Sequence, residues 1–238
     1  MRIDVCLASY CGARFLREQI DSILMQLGPG DRLLVSDDGS SDETVDIVLS
    51  YGERVRLVSS ERAGGVVPNF ERVLRAADAD LVVLADQDDV WLHGRLDIIR
   101  NSLLQHDLVL LNGSVVDENL VPHGSTIFQV VRMSTGFLSN VRHNTFVGCC
   151  MAFRRSLLDR VLPFPSGLPW HDWYIGLVAE LTGSVARVDA QTLLYRRHGG
   201  NFSPTGEKSK TTLWQKLQLR VAVLRAVAIA VGFRSRSA

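Results

Sequence analysis

The stretch Leu81-Val82-Val83-Leu84-Ala85-Asp86-Gln87-Asp88-Asp89-Val90-Trp91 decides the fold. Five consecutive apolar residues, with no polar alternation, are too short for an ordinary helix. They fit a central strand covered on both faces, as in a parallel sheet. Immediately beyond them come three carboxylates, Asp86, Asp88 and Asp89. Charges so crowded repel one another unless water solvates them or a cation neutralises them. Hard cations such as Mn²⁺ or Mg²⁺ prefer oxygen ligands and commonly combine one or two carboxylates with phosphate oxygens. The alternative is a solvated turn in which Asp89 caps a helix read over Val90–Leu104.

Outward from this stretch, strand and helix patterns alternate. Arg2–Ala8, Arg32–Ser36 and Val55–Ser59 are β-rich runs, and Leu108–Leu111 is a further one. Between them lie a helical pattern carried by Phe15, Ile20, Ile23, Leu24 and Leu27, and helices over Thr44–Tyr51 and Asn69–Ala77. Alternation of this kind through residue 111 predicts an α/β fold, an open and mainly parallel sheet with helices on both faces. Ligands of such sheets sit beyond the carboxyl ends of the strands. Three polar clusters fall there: Ser9-Tyr10, Asp37-Asp38 and Asp86 to Asp89. The second half alternates less regularly, with strands over Phe146–Arg154 and Val185–Val188, and helices over Ser156–Val161, His171–Leu181 and Thr211–Val231.

Composition narrows the classes. The 238 residues are 46% hydrophobic and 22% charged with zero formal net charge, so the chain is globular and has no electrostatic case for a nucleic-acid partner. Charge is unevenly spread. From Thr205 onward there are seven basic residues and one acid, Glu207. That leaves an acidic body and a basic tail. Cys6, Cys11, Cys149 and Cys150 form no CxxC pair and read as reduced thiols of a cytosolic protein, with Cys6 in a core strand. Neither a signal peptide nor a run of ~18 to 20 apolar residues is expected.

Three motifs in order, Cys6-Leu-Ala-Ser-Tyr, Val35-Ser-Asp-Asp-Gly-Ser-Ser-Asp and Leu84-Ala-Asp-Gln-Asp-Asp-Val-Trp, resemble glycosyltransferase family 2, which has the GT-A fold. The last motif is most similar to bacterial rhamnosyltransferase-type members. The resemblance continues through Phe146-Val-Gly-Cys-Cys-Met-Ala-Phe-Arg, His171-Asp172-Trp173 and Tyr195-Arg-Arg-His-Gly-Gly-Asn. It implies a GT-A catalytic unit over 1–204, with a nucleotide-binding half (1–111) and an acceptor half (112–204), followed by a basic helical segment over 205–238. The implied activity is inverting, metal-dependent transfer from a UDP- or dTDP-sugar, with rhamnose one candidate sugar. The acceptor is a saccharide or lipid-linked glycan of cell-surface polysaccharide synthesis. The setting is the cytoplasm or the inner face of the plasma membrane.

By the same resemblance, Ala8, Ser9, Tyr10 and Asp38 surround the nucleoside, Asp86 and Asp88 serve metal and diphosphate, and Asp172 is the catalytic base. A carboxylate at Asp38 also suits the N3–H of a uracil or thymine ring; the alternative is that it forms part of a capped turn. Asn69 and Gln87 are candidates for seating the nucleotide, Asn69 alternatively being a polar helix start. Direct inversion needs a base opposite the departing diphosphate, which a carboxylate such as Asp172 provides. Otherwise Asp172 caps its helix. His198 is either a third metal ligand, a diphosphate contact or an exposed histidine, and Arg196 and Arg197 are candidate diphosphate contacts. Trp91, Trp170, His171 and Trp173 are candidates for the acceptor or sugar faces.

In the tail, Trp214, Leu217, Val221, Leu224 and Ala228 recur at helical spacing among Lys216, Arg220 and Arg225. This basic amphipathic helix suits an anionic membrane surface, or packs on the catalytic unit or a second subunit. Two rival functions stand beside transfer. Nucleotidyl transfer needs a glycine-rich basic loop after the first strand, for which Cys11-Gly12-Ala13-Arg14 is a poor substitute. A non-catalytic relative that binds sugar-nucleotides or glycans is the other.

Overall fold

The computed structural model of the protein describes residues 1–199 and 212–232. The N-terminal half is four parallel strands linked by helices. They are β1 (Ile3–Ser9), α1 (Ala13–Leu24), β2 (Arg32–Asp37), α2 (Thr44–Leu49), β3 (Val55–Ser59), α3 (Val66–Arg75) and β4 (Leu81–Ala85). Each helix turns an apolar stripe to the sheet. In α3, Phe70, Val73 and Leu74 are buried, and in α1 Leu16, Ile20 and Ile23 are. After β4 come β5 (Val90–Trp91), α4 (Arg95–Ser102), β6 (Leu108–Val116), β7 (Pro122–Thr126), α5 (Ile127–Val130) and α6 (Phe137–Arg142). The remainder is β8 (Met151–Arg154), α7 (Leu158–Val161), α8 (His171–Thr182), β9 (Val185–Arg196) and α9 (Leu213–Gly232).

All the strands join one sheet in the order β3-β2-β1-β4-β8-β6-β9-β5, with β7 paired to β6. The first four strands are parallel, β8 is antiparallel to both its neighbours, and β6 and β9 are parallel. Register places the polar clusters. Leu7 pairs with Ala85, and Ser9 with Asp37, so the ends of β1, β2 and β4 finish at one edge.

Two antiparallel pairings then deliver the rest of the site. Val83 pairs with Ala152, so the turn Gly148–Cys150 lies beside the end of β4. Val90 pairs with Leu194, which runs the end of β9 back alongside Asp86 to Asp89.

The structure revises several element assignments. The helix expected over Val90–Leu104 is a short strand and then a helix from Arg95, because Val90 and Trp91 pair with β9 and Gly94 adopts a left-handed conformation before α4. Asp89 therefore caps no helix. Strand β9 is much longer than Val185–Val188, since two register shifts let its polar residues follow β6. Residues 146–150 are not strand but a loop and a 3₁₀ turn. The tail helix packs on the body through Val223, Ala226, Val227 and Ala230, all buried. The expected boundary at 204/205, Gly200, Asn201, Thr211 and the basic residues Lys208, Lys210, Arg234 and Arg236 lie outside the described residues.

Candidate active site

At the end of β4, Asp86 meets Asp172 from the first turn of α8, and Asp88 follows two residues on. Burial, then the neighbouring charges of Asp88 and Asp172, push the Asp86 carboxyl up to about 7. Burial alone lifts Asp172 to about 6, against hydrogen bonds from the backbone N–H groups of Trp173 and Gly148. Two carboxylates from the loop after β4 and one from the first turn of α8 thus share one partly buried site, where their like charges disfavour full ionisation.

His198 supplies the complement. Its Nε2 lies 2.9 Å from Asp88 Oδ2, and its ring packs on Phe15 with centroids 4.7 Å apart. A carboxylate and an imidazole at this distance fit a divalent cation that takes O and N donors. A second cluster, Asp86, Asp89 and Cys149, has ligand atoms within 4.8 Å of one another. Of the two clusters, the first is free of a thiol. Cys149 is buried, and its hydrogen bond with Cys150, burial and the charge of Asp89 hold its thiol well above its usual range. It stays a neutral thiol, which suits hard cations poorly.

Asp89 is an anchor for the loop. Its Oδ1 accepts from the Arg196 backbone N–H at 3.1 Å, and burial, Asp88 and Asp86 raise its carboxyl pKa strongly. Arg196 completes the join between β9 and the acidic loop. Its guanidinium donates to the carbonyls of Asp88 and Glu118, both at 2.7 Å, and to the Glu18 carboxylate. With 2% of its surface exposed, Arg196 is committed to these partners and not to a diphosphate, correcting the sequence expectation. The spacing Arg196 to His198 hinted at a phosphate clamp; only the β5–β9 pairing shows that Arg196 holds the loop carrying Asp88.

At the nucleoside side the polar strand ends are interlocked. Ser9 Oγ donates to Asp37 Oδ1 at 2.9 Å, and the Asn69 amide donates to the Ser9 and Ser36 carbonyls at 3.1 and 2.9 Å. Asn69 is thus a buried tie between β1 and β2. Asp38 accepts three backbone N–H groups, from Ala63, Gly64 and Gly65, and so closes the loop before α3. Among the described residues Oδ2 takes only the Gly65 donor, which leaves it a lone pair for a further one. Gln87 is held against the Tyr10 backbone by two bonds, Tyr10 N–H to Oε1 at 2.8 Å and Nε2 to the Tyr10 carbonyl at 3.0 Å. Tyr10 itself is exposed and Ala8 partly so. Arg72, which sequence reading passed over, bridges Ser36 Oγ, the Asp37 carbonyl and Asn69 Oδ1; its only signal was its i+3 spacing from Asn69.

Of the four residues expected at sugar faces, only Trp170 is even partly open. Trp91 and Trp173 are buried: the Trp91 ring lies under the Arg95 guanidinium, and the Trp173 indole N–H donates to the Asn140 carbonyl at 2.9 Å. His171 stacks on Phe70 at 4.1 Å, and burial holds its pKa down at about 3. Packing has taken the faces of these three rings, so the expectation of sugar contacts there is corrected.

The mixed sheet flanked by helices, with an acidic loop at the end of β4, has the GT-A fold. Residues 4–162 match the family described as Glycosyl transferase family 2, and the chain belongs to that family. It is 23% identical over 221 residues to UDP-Glc:alpha-D-GlcNAc-diphosphoundecaprenol beta-1,3-glucosyltransferase WfgD of Escherichia coli, covering 90% of this chain and 85% of that one. To dTDP-rhamnosyl transferase RfbG of Shigella flexneri it is 26% identical over 214 residues, covering 82% and 72%. It spans 66% of a 25% identical glycosyltransferase of Nostoc sp., over 84% of its own length. Among solved structures it resembles S. aureus TarS 1-349 in complex with UDP-GlcNAc, with a TM-score of 0.72 at 19% identity over 97% of this chain and 66% of that one. It also resembles glucosyl-3-phosphoglycerate synthase of Mycobacterium tuberculosis in complex with Mn²⁺, UDP and phosphoglyceric acid, with a TM-score of 0.59 at 21% identity over 97% and 78%.

Proposed function

We propose that the protein transfers a sugar, with inversion, from a UDP- or dTDP-sugar to a saccharide or lipid-linked acceptor. The observation that carries this reading is the convergence of Asp86, Asp88 and Asp172, with His198 on Asp88. Ala8, Ser9, Tyr10 and the remaining lone pair of Asp38 line the nucleoside end, and Gln87 and Asn69 hold the loops around it. Asp86, Asp88 and His198 would hold Mn²⁺ or Mg²⁺, which when bound supplies neutralisation of the diphosphate and of charge on the leaving group. Asp172 accepts the proton of the acceptor hydroxyl as it attacks the anomeric carbon. A carboxyl raised to about 6 is ionised at neutral pH yet basic enough to take that proton. Relatives named for UDP-glucose and for dTDP-rhamnose leave both donor types in play. Lipid-linked acceptors would bring the enzyme to the inner face of the cytoplasmic membrane.

The test is thermal melting with a panel of sugar-nucleotides, with and without Mn²⁺ or Mg²⁺, alongside nucleoside-diphosphate release. UDP or dTDP forms should stabilise the protein most, and only with the metal. Melting indifferent to every nucleotide, or transfer that needs no metal, would sink the proposal.

A further inference from the structure

Arg95 opens α4, and its side chain is fully buried. The guanidinium donates to the Thr192 hydroxyl and, at 2.6 Å, to the Cys149 carbonyl, and it lies over the Trp91 ring, 4.9 Å from the centroid. Among the described residues these partners are neutral oxygens, no carboxylate forms an ion pair with it, and its Nε has no partner. A guanidinium stays charged, so burying it costs more than burying an apolar side chain of the same size. Packing therefore does not explain an arginine here. What the cation adds is two charge-assisted bonds in fixed directions.

Both bonds end on segments that carry the site. Cys149 is the middle residue of the turn Gly148–Cys150. On one side of this turn, the Cys149 Sγ and carboxylate oxygens of Asp86 and Asp89 lie within 4.8 Å of one another. On the other, the Gly148 N–H is directed at the Asp172 carboxylate. A Cβ on Gly148 would stand 3.3 Å from His171 Nε2 and 4.0 Å from the Asp172 Cβ, so the turn lies against the start of α8. It is thus a spacer between the loop after β4 and the helix that carries Asp172. Thr192 belongs to β9, the strand whose Arg196 holds the Asp88 carbonyl, and its hydroxyl is fixed in turn on the Asn112 carbonyl at 3.2 Å. One buried side chain therefore ties the strand that anchors the acidic loop to the turn that spaces Asp86 from Asp172.

We infer that Arg95 is a positioning residue for the transfer reaction, holding the Gly148–Cys150 turn so that Asp172 keeps its place beside Asp86. The inference rests on the reading of the cleft given above. Arg95 itself touches no reacting atom and acts through the turn.

The experiment pairs thiol labelling with kinetics on the full chain, in the parent, Arg95→Met and Arg95→Lys. N-ethylmaleimide is applied under native conditions and the labelled cysteines are mapped by peptide mass spectrometry. Cys11 is exposed, whereas Cys6, Cys149 and Cys150 are buried, so the parent should label first at Cys11. Methionine fills the space but donates to neither oxygen. In Arg95→Met, Cys149 and Cys150 should label on the order of tenfold faster, as expected when a charge-assisted bond no longer opposes local opening, while Cys6 in β1 stays protected. With the base displaced, kcat should fall on the order of 10²-fold, and the donor KM should stay within about threefold because the nucleoside end is intact. Lysine keeps the charge without the planar fork, so Arg95→Lys should fall between the two in both measurements. Parent-like protection of Cys149 and Cys150 in Arg95→Met, or a parent-like kcat, would overturn the inference. So would labelling of Cys6 as fast as Cys149 in a folded variant, with kcat and KM impaired alike, since Arg95 would then support the core as a whole. If Arg95→Met does not fold, Arg95→Lys decides by the same readouts: selective opening with reduced kcat sustains the inference, and any other result overturns it. Labelling needs no substrate. A parent without transfer activity would therefore count against the reading of the cleft, while the labelling would still decide whether Arg95 holds the turn.

Discussion

Replacing Asp172 with asparagine separates what this carboxylate does for the fold from what it does for the reaction. Burial lifts its pKa from 3.8 to about 6. The folded chain therefore binds this proton more tightly than the unfolded chain does. The stability so conferred is complete below about pH 4 and is lost as pH rises through about 6. At about 1.4 kcal/mol per pH unit, the difference amounts to about 3 kcal/mol, an upper figure because the residue keeps some solvent contact. Asparagine cannot ionise, and it also relieves Asp86 of one of the charges that raise it. Metal-free Asp172→Asn should match the parent near pH 4 and exceed it by about 2 to 3 kcal/mol above pH 6. Urea melts followed by tryptophan fluorescence across this range measure the gap. In the loaded enzyme the same variant should bind nucleotide normally while transfer falls on the order of 10²- to 10⁴-fold. The parent's transfer rate should fall as pH drops through about 6, since the base works only when ionised. Near-normal turnover in the variant, or a stability gap that does not change with pH, would refute the reasoning.

Two further outcomes test the scaffold around the site. Arg196→Ala removes a buried cation and leaves the Asp88 and Glu118 carbonyls without their donor, so it should cost about 3 kcal/mol and weaken Mn²⁺-dependent stabilisation as well; a change in melting temperature alone would mean that Arg196 does not position Asp88. Asp38→Ala frees three backbone N–H groups at the loop before α3 and should cost about 2 kcal/mol in urea denaturation. Asp38→Asn, which keeps one acceptor, should lose less, and equal losses in the two variants would contradict the loop-closing role.

Reading the chain alone places β1, β2, β3 and β4 within a residue or two, because each is a local apolar run bounded by turn formers. Elements after residue 111 are less legible. β9 carries Arg187, Asp189, Gln191 and Thr192, so its period is broken by bulges that exist only in company with β6. β7 lacks an apolar run, and the apolar run of α5 is only four residues long, so α5 is marked chiefly by a capping box between Thr126 and Gln129. Aromatic residues were the least legible of the site candidates. A tryptophan beside a carboxylate looks the same in sequence whether its ring faces a sugar or, like Trp91 and Trp173, the core.

What the sequence by itself determined is the parallel half-sheet and the polar clusters at its strand ends, since both follow from side-chain patterns a few residues long. What only the tertiary structure decided is which of those groups meet. Asp86 lies 86 positions from Asp172, and Asp88 110 positions from His198. Their encounter depends on the antiparallel return of β8 and β9 against β4 and β5. The same burial that brings the carboxylates together raises their pKa values, and no local pattern encodes that environment.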